Sequence, residues 1–241
     1  MPTSLAEWLP AAKKKYENID WNHWSHEDFL RDPCRAQRVD SRYFFSPADG
    51  VIIGQACVSP DDDVVEAKGV EVTLADLMKP WPIDQPCLVI NIFMTALDVH
   101  INRMPTGGIL THEPAGPIRT SNLPMLWIEK GIIEKGVIFK KGMQYVKDNA
   151  RMLNRVWSTN LGFWYYMVQI ADSDVSAIMP FDHRKHAPLA QSERFSLVRW
   201  GSQVALVIPL DPRYRFRTLC NVTDHVEAGT DPLVKMEEHR R

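Results

Sequence analysis

Apolar residues recur at nearly every second position through the run RFSLVRWGSQVALVIPLD, residues 194–211. Val198, Trp200, Ser202, Val204, Leu206 and Ile208 share one parity, so a two-residue repeat places them on one face of a single predicted strand. All but Ser202 are apolar. A hydroxyl on the core side of a strand costs free energy unless it finds a partner. Taken alone, Ser202 reads as a small residue filling a tight core position.

The pattern elsewhere predicts the remaining elements. Leu5, Trp8, Leu9, Ala12 and Tyr16 fall at helical spacing over residues 3–16, with Lys13, Lys14 and Lys15 mostly off that stripe. Such a helix lies on a membrane surface or docks on its own domain; the single short basic run fits docking better. Residues 17–40 predict a second short helix and a connection, and His23 and His26 read there as surface or packing residues. From residue 41 the pattern is β. Tyr43, Phe44 and Phe45 lead into Ser46-Pro47-Ala48-Asp49-Gly50 and then Val51-Ile52-Ile53, a turn in which Pro fixes φ and Gly tolerates positive φ. Thr73 with Asp76 marks a helix start, and Pro80 ends that helix. Residues 87–96 read as a buried strand. It continues through Asp98, His100 and Asn102 on one face, where an Asp and an Asn can fix the tautomer of a histidine. Residues 113–145 read as loops between short strands, 151–157 and 163–170 as strands, 225–231 as a turn, and 232–234 as a last short strand. His183 and His186 have the spacing of a weak metal pair without a third ligand, so no metal site is expected.

Composition sets limits on this picture. The chain has 241 residues, 45% hydrophobic and 24% charged, enough for one large domain or a domain with an appendage. The expected fold is α+β: mainly antiparallel β-sheets, with a helical N-terminal region over 1–40 and one catalytic domain over 41–241. A net charge of -2 gives no basic field for nucleic acid. The cysteines at 34, 57, 87 and 220 form no CxxC pair and suggest reduced thiols in a cytoplasmic protein. There is no signal-peptide core and no span of membrane length. Eight tryptophans suit aromatic packing, or less readily a ligand wall.

Four segments in order carry a resemblance: SPADG at 46–50, KGVEVTLADLM at 68–78, FMTALDVHINRMPTGG at 93–108 and RFSLVRWGSQV at 194–204, with Val226-Glu227-Ala228-Gly229 near the end. Together they resemble the phosphatidylserine decarboxylase family, over roughly residues 41–241. The resemblance implies a chain that cuts itself between Gly201 and Ser202. Ser202 attacks the Gly201 carbonyl, and elimination leaves a pyruvoyl group, derived from Ser202, at the head of a 40-residue fragment. Gly201, lacking Cβ, leaves that carbonyl open, and an intramolecular nucleophile has a high effective concentration. The pyruvoyl carbonyl then stands in for a cofactor as the substrate loses carbon dioxide.

The resemblance also implies an Asp–His–Ser relay, with Asp49 as its acid. The longer-studied bacterial form has two histidines in the segment around His100. Here the second position is Arg103, which cannot be a base near neutral pH. His100 is therefore expected to serve both self-cleavage and decarboxylation. Gln203 stands where the bacterial form usually has Thr. Lys68 falls in the family's substrate-side loop. Arg103 either grips a carboxylate or phosphate or forms a salt bridge on a strand edge. The favoured activity is decarboxylation of phosphatidylserine to phosphatidylethanolamine. The alternatives are a free amino acid substrate such as tryptophan, or a non-processing relative that only binds a ligand. A serine hydrolase ranks last, because no GxSxG elbow surrounds Ser202. Expected partners are the substrate, the two cleaved fragments as a heterodimer, a second copy as a homodimer, and a membrane surface met peripherally; nucleic acid is not among them.

Overall fold

The computed structural model describes residues 1–18, 31–67, 70–115, 122–138, 143–173, 177–182, 184, 186–199 and 202–239. Strand β1 (Thr3–Ser4) leads into helix α1 (Leu5–Lys15). Leu5, Leu9 and Ala12, at i, i+4 and i+7, drop into the core, so this helix docks on its own domain. The helix expected after residue 17 falls largely outside the described residues, and 31–40 are irregular. Strands β2 (Tyr43–Phe45) and β3 (Gly50–Val58) flank the SPADG turn, and β4 (Asp63–Ala67) pairs with β5 (Val70–Thr73). Helix α2 (Leu74–Met78) starts where predicted, with the Asp76 N–H donating to Thr73 Oγ1 at 3.1 Å. Strands β6 (Cys87–Met94), β7 (Ile101–Arg103) and β8 (Gly108–Ala115) follow.

Helix α3 (Leu126–Lys135) occupies the stretch expected to be loops, and α4 (Tyr145–Asp148) begins at its end. Pro124 precedes α3, Gly136 follows it, and Gly131 lies within it on the buried face. Gly136, at φ +64°, caps α3, while Ile128, Gly131 and Ile132 bury one face of it. The expected strands β9 (Arg151–Ser158) and β10 (Phe163–Ala171) pair as a hairpin, followed by β11 (Ile178–Pro180), β12 (Ala187–Leu189) and β13 (Arg194–Val198). Then come β14 (Ser202–Pro209), β15 (Tyr214–Thr218), β16 (Asp224–Val226) and β17 (Pro232–Glu238). Strand β16 corrects the turn expected at His225, and β17 runs past the expected end at 234.

The main sheet has the order β1-β16-β3-β6-β14-β10-β9-β8-β12, and its recorded pairs are antiparallel. Strand β14 sits inside it, paired along its length with β6 and β10, and every residue of it is buried. Val204, Leu206 and Ile208 pack with Ile90, Ile92 and Met94 against the small sheet of β2, β15 and β17. Ala205 and Val207 face the opposite way, under the helices. A strand covered on both faces reads as a continuous apolar run, which is what VALVI is.

The run 194–211 is not one strand. Strand β13 belongs to a three-stranded sheet with β11 and β7, and β14 to the main sheet. The chain changes sheets between Val198 and Ser202. Alternation that continues in register across the joint hides it from the sequence. Trp200 and Gly201 lie outside the described residues.

Candidate active site

Ser202 opens β14, opposite Met94 of β6 and Ala171 of β10. It is fully buried, and its hydroxyl donates to Met94 Sδ at 3.0 Å. A thioether is a weak acceptor, so this bond holds the hydroxyl loosely. Met94 Sδ also lies 3.6 Å from the Asn102 amide nitrogen. From there a buried polar network runs outward. Asn102 Oδ1 accepts from Gln169 Nε2 at 2.6 Å, and the same nitrogen donates to Ser196 Oγ at 3.0 Å. Gln169 Oε1 in turn accepts from Asn154 Nδ2 at 2.9 Å. Such networks are costly unless satisfied, and they fix one arrangement of the core around them.

His100 lies between the 95–98 turn and β7, with no exposed surface. Its Nδ1 is 3.1 Å from the Val198 carbonyl and its Nε2 is 2.9 Å from the Thr95 carbonyl. The Val198 N–H donates back to the His100 carbonyl at 3.0 Å. The ring is thus laid against the last residue before the joint that leads to Ser202. Burial lowers the pKa of His100, outweighing the opposing pull of the Thr95 carbonyl and the Asp98 charge. A neutral ring carries one N–H, so one of its nitrogens turns a lone pair toward an oxygen and is poised to take up a proton.

The expected tautomer partners are not where parity placed them. Asp98 sits in the turn rather than on a strand, and neither its carboxylate nor the Asn102 amide bonds the His100 ring among the described residues. Asp98 Oδ2 accepts from the Thr95 N–H and the Thr95 hydroxyl, each at 2.7 Å. Asp98 Oδ1 accepts from His225 Nε2 at 2.7 Å. The His225 ring stacks on Trp8 of α1, centroids 4.0 Å apart and planes 9° apart. Burial pushes the Asp98 carboxyl up, but His225 and the Thr95 donors outweigh it and hold it below its ordinary range. The alternation of Asp224, His225 and Val226 was the available sequence signal for this histidine, and the turn reading obscured it.

Asp49 is buried and doubly bound to Arg35, Oδ1 to Nη1 at 2.7 Å and Oδ2 to Nη2 at 2.9 Å. Its Oδ1 also accepts from the Ala228 N–H at 2.8 Å. The structure does not bring Asp49 onto His100 among the described residues. It brings the SPADG turn onto the Val226–Gly229 segment instead, with the Gly229 N–H donating to the Ser46 carbonyl at 2.9 Å. Two glycines make that junction. A Cβ at Gly50, φ +152°, would stand 2.3 Å from the Phe93 carbonyl oxygen. A Cβ at Gly229, φ +69°, would stand 2.9 Å from Arg103 Cδ. Replacing Arg35 by Ala leaves Asp49 charged and without its ionic partner. The expected loss is about 2–3 kcal/mol, less than for a fully buried pair because Arg35 keeps part of its surface in water; chemical denaturation of the variant reads it.

Arg103 ends β7, the edge strand of its three-stranded sheet, yet is buried there. It donates to the Ser192 carbonyl at 3.1 Å and sits 3.5 Å from Asp32, which also pairs with Arg194 at 2.7 Å. With Gln37, Gln191, Glu193 and Arg194 it lines a cavity of about 510 Å³. Gln203 points away from Ser202, under the helices. Its Nε2 donates to Asn91 Oδ1 at 3.0 Å and its Oε1 accepts from the Tyr145 hydroxyl at 2.5 Å. Gln203 thereby pins the start of β14 from the far face. Lys68 and Gly201 lie outside the described residues.

A family profile described as phosphatidylserine decarboxylase matches residues 27–233. The chain belongs to the phosphatidylserine decarboxylase family. That family is one of carboxy-lyases. Among its relatives is the phosphatidylserine decarboxylase proenzyme of Novosphingobium aromaticivorans, 26% identical over 211 residues, which are 86% of this chain and 73% of that one. The proenzyme of Gluconacetobacter diazotrophicus is 27% identical over 181 residues, 75% of this chain and 65% of that one. The proenzyme of Thermobifida fusca is 29% identical over 170 residues, 68% and 66% of the two chains. The chain thus spans about two thirds to three quarters of these relatives' length.

Proposed function

We propose that this chain cuts itself between Gly201 and Ser202 and, with the pyruvoyl group so formed, converts phosphatidylserine to phosphatidylethanolamine. One observation carries the reading. A fully buried serine hydroxyl, held by a thioether, opens a central strand just past a change of sheet, and a buried histidine lies against the strand that enters the joint. In the cleavage, His100 takes the hydroxyl proton as Ser202 Oγ bonds the Gly201 carbonyl carbon and the C–N bond opens, giving an ester and a free amine on residue 202. Loss of the residue-202 α-proton expels the Gly201 carboxylate, and water then displaces the nitrogen as ammonia.

The residues present fit the group that results. When the hydroxyl disappears, the partner that loses its donor is a thioether, which needs none. Once formed, the group supplies an electron-withdrawing carbonyl to the substrate amine. His100 is suited to hold and return the proton at the decarboxylated carbon. Asp49 enters as a positioning residue that ties the SPADG turn to the 202–241 fragment. Arg103 and Lys68 remain the proposed anion grips. The fragments stay together as a heterodimer, because β14 lies between β6 and β10 and β17 pairs with β2. A homodimer of such heterodimers is the family expectation, read by sedimentation. Intact mass of the purified protein, with carbonyl-specific labelling of the shorter fragment, tests the whole reading; an unbroken, unlabelled chain would falsify it.

Phosphatidylserine is favoured over a free amino acid by the outer face of α3. Trp127 is 71% exposed and Leu126 52%, beside exposed Leu123 and Lys130. Tryptophan and leucine with a nearby lysine suit an anionic lipid surface. The helix is tied to the site, since the Ala96 N–H donates to Glu129 Oε1 at 2.9 Å. Among the described residues, no helix is long and apolar enough to cross a membrane. We propose that the protein works on the cytoplasmic side, meeting lipid peripherally through this face of α3. An aromatic substrate finds less support. Trp157 and Trp164 pack on each other, and Trp164 is seven residues along β10 from Ala171, the partner of Ser202, roughly 23 Å away. Replacing Trp127 by Glu is expected to cut turnover of phosphatidylserine in vesicles by about tenfold, equivalent to ~1.4 kcal/mol of lost interfacial binding. Dispersed short-chain substrate should lose much less; equal losses on both would remove the membrane argument.

A further inference from the structure

The buried Asp98–His225 pair is used by no step above, and its surroundings say what it does. The 95–98 turn is held from three directions. Arg31 Nη2 donates to the Leu97 carbonyl, Glu129 accepts from the Ala96 N–H at 2.9 Å, and His225 Nε2 donates to Asp98 at 2.7 Å. The turn closes on itself as well, because the Asp98 N–H donates to the Thr95 carbonyl at 3.0 Å. That same carbonyl is the partner of His100 Nε2 at 2.9 Å. A path of hydrogen bonds thus runs from His225 through Asp98 and Thr95 to the ring of His100. His225 is itself fixed from behind by the Trp8 ring stacked on it.

We propose that His225 is a positioning residue for His100, acting through the 95–98 turn. This deepens the reading of His100 as the base and rests on it. His225 belongs to the fragment 202–241, while Asp98 and His100 belong to 1–201. The shorter fragment then does more than carry the new end group: it sets the orientation of the histidine that serves it. A carboxylate only accepts, so His225 Nε2 carries the proton in this bond, and an amide nitrogen at the same place can replace it. Without that donor the Asp98 carboxylate is buried short of a partner, and the turn must shift to solvate it. The Thr95 carbonyl moves with the turn and releases the ring.

The experiment uses two sets of variants of the full chain. In a Ser202→Ala precursor, which stays intact, the nitrogen-15 and proton signals of the His100 ring are followed in three backgrounds: native, His225→Leu and His225→Gln. In chains that retain Ser202, the rate of self-cleavage is followed by intact mass. His225→Leu is expected to shift or broaden the His100 ring signals and to slow cleavage about ten- to a hundredfold, the range for groups that orient a reacting partner. His225→Gln is expected to recover most of both. A merely structural role would not give this rescue. Should His225→Leu fail to fold, Asp98→Asn is expected to produce the same shift of the ring signals. Unchanged ring signals in folded His225→Leu or Asp98→Asn would overturn the proposal. So would a His225→Gln chain no better than His225→Leu. Should His100→Ala cleave at the native rate, the assignment of the base falls, yet the ring signals still decide whether His225 positions His100.

Discussion

Ser202→Ala is expected to leave every molecule at its full length of 241 residues, with no decarboxylase activity and a melting curve like that of the unprocessed chain. The size of the effect follows from chemistry and the mildness of the structural change from packing. The hydroxyl oxygen is the atom that must bond the Gly201 carbonyl, and alanine has nothing to replace it. In the folded chain that oxygen donates to Met94 Sδ, so its removal strands no strong acceptor. The change in stability is expected to stay below about 1 kcal/mol, since a lost hydroxyl–thioether bond is at the weak end of the net hydrogen-bond scale. Complete loss of cleavage with an unmoved melting curve separates a missing nucleophile from a damaged fold. Partial cleavage at the same bond would show that some other group opens it.

Much of the fold was legible because its elements obey local rules. Residues 151–157 and 163–170 are rich in aromatic and branched apolar residues and are separated by a short polar stretch. Thr73 and Asp76 start a helix. The Asp49-Gly50 turn needs a glycine for a reason the structure makes explicit, the Phe93 carbonyl 2.3 Å from where a Cβ would stand. What stayed hidden was non-local. The change of sheet after Val198 leaves no break in the alternation. Helix α3 was masked by Pro124 and Gly136, which bound it, and by Gly131, which the helix takes into its buried face. In the candidate site, Ser202 and His100 stood out by residue type and by family resemblance. The partners of His100 did not, because they are backbone carbonyls, which any sequence supplies. Nor did the Asp98–His225 pair, whose members lie 127 positions apart. Parity put Asp98 beside His100, whereas the turn aims its carboxylate at His225.

His100→Ala is expected to slow self-cleavage by about two to four orders of magnitude, the usual contribution of a positioned general base. It should also remove turnover from whatever fraction does mature. The ring is fully buried between two carbonyls, so alanine leaves a cavity as well; His100→Gln keeps bulk and a donor and isolates the loss of the base. The pH profile provides the check that a cavity cannot imitate. Burial holds the folded His100 pKa below the ordinary 6.5. The neutral, basic form therefore predominates at pH 6.5, and the cleavage rate should stay level from pH 8 down past that point before falling. Stability follows the same proton with a definite sign. Between the folded and unfolded pKa values the unfolded chain binds more protons, so stability is complete above about 6.5 and declines as pH drops through that window. Asp98, also depressed, adds a separate loss below its ordinary 3.8, where its bonds to His225 and Thr95 are given up. In His100→Gln the first decline should vanish and the second remain. A rate that halves near pH 7.5, or an acid decline unchanged in His100→Gln, would mean that another group takes the serine proton.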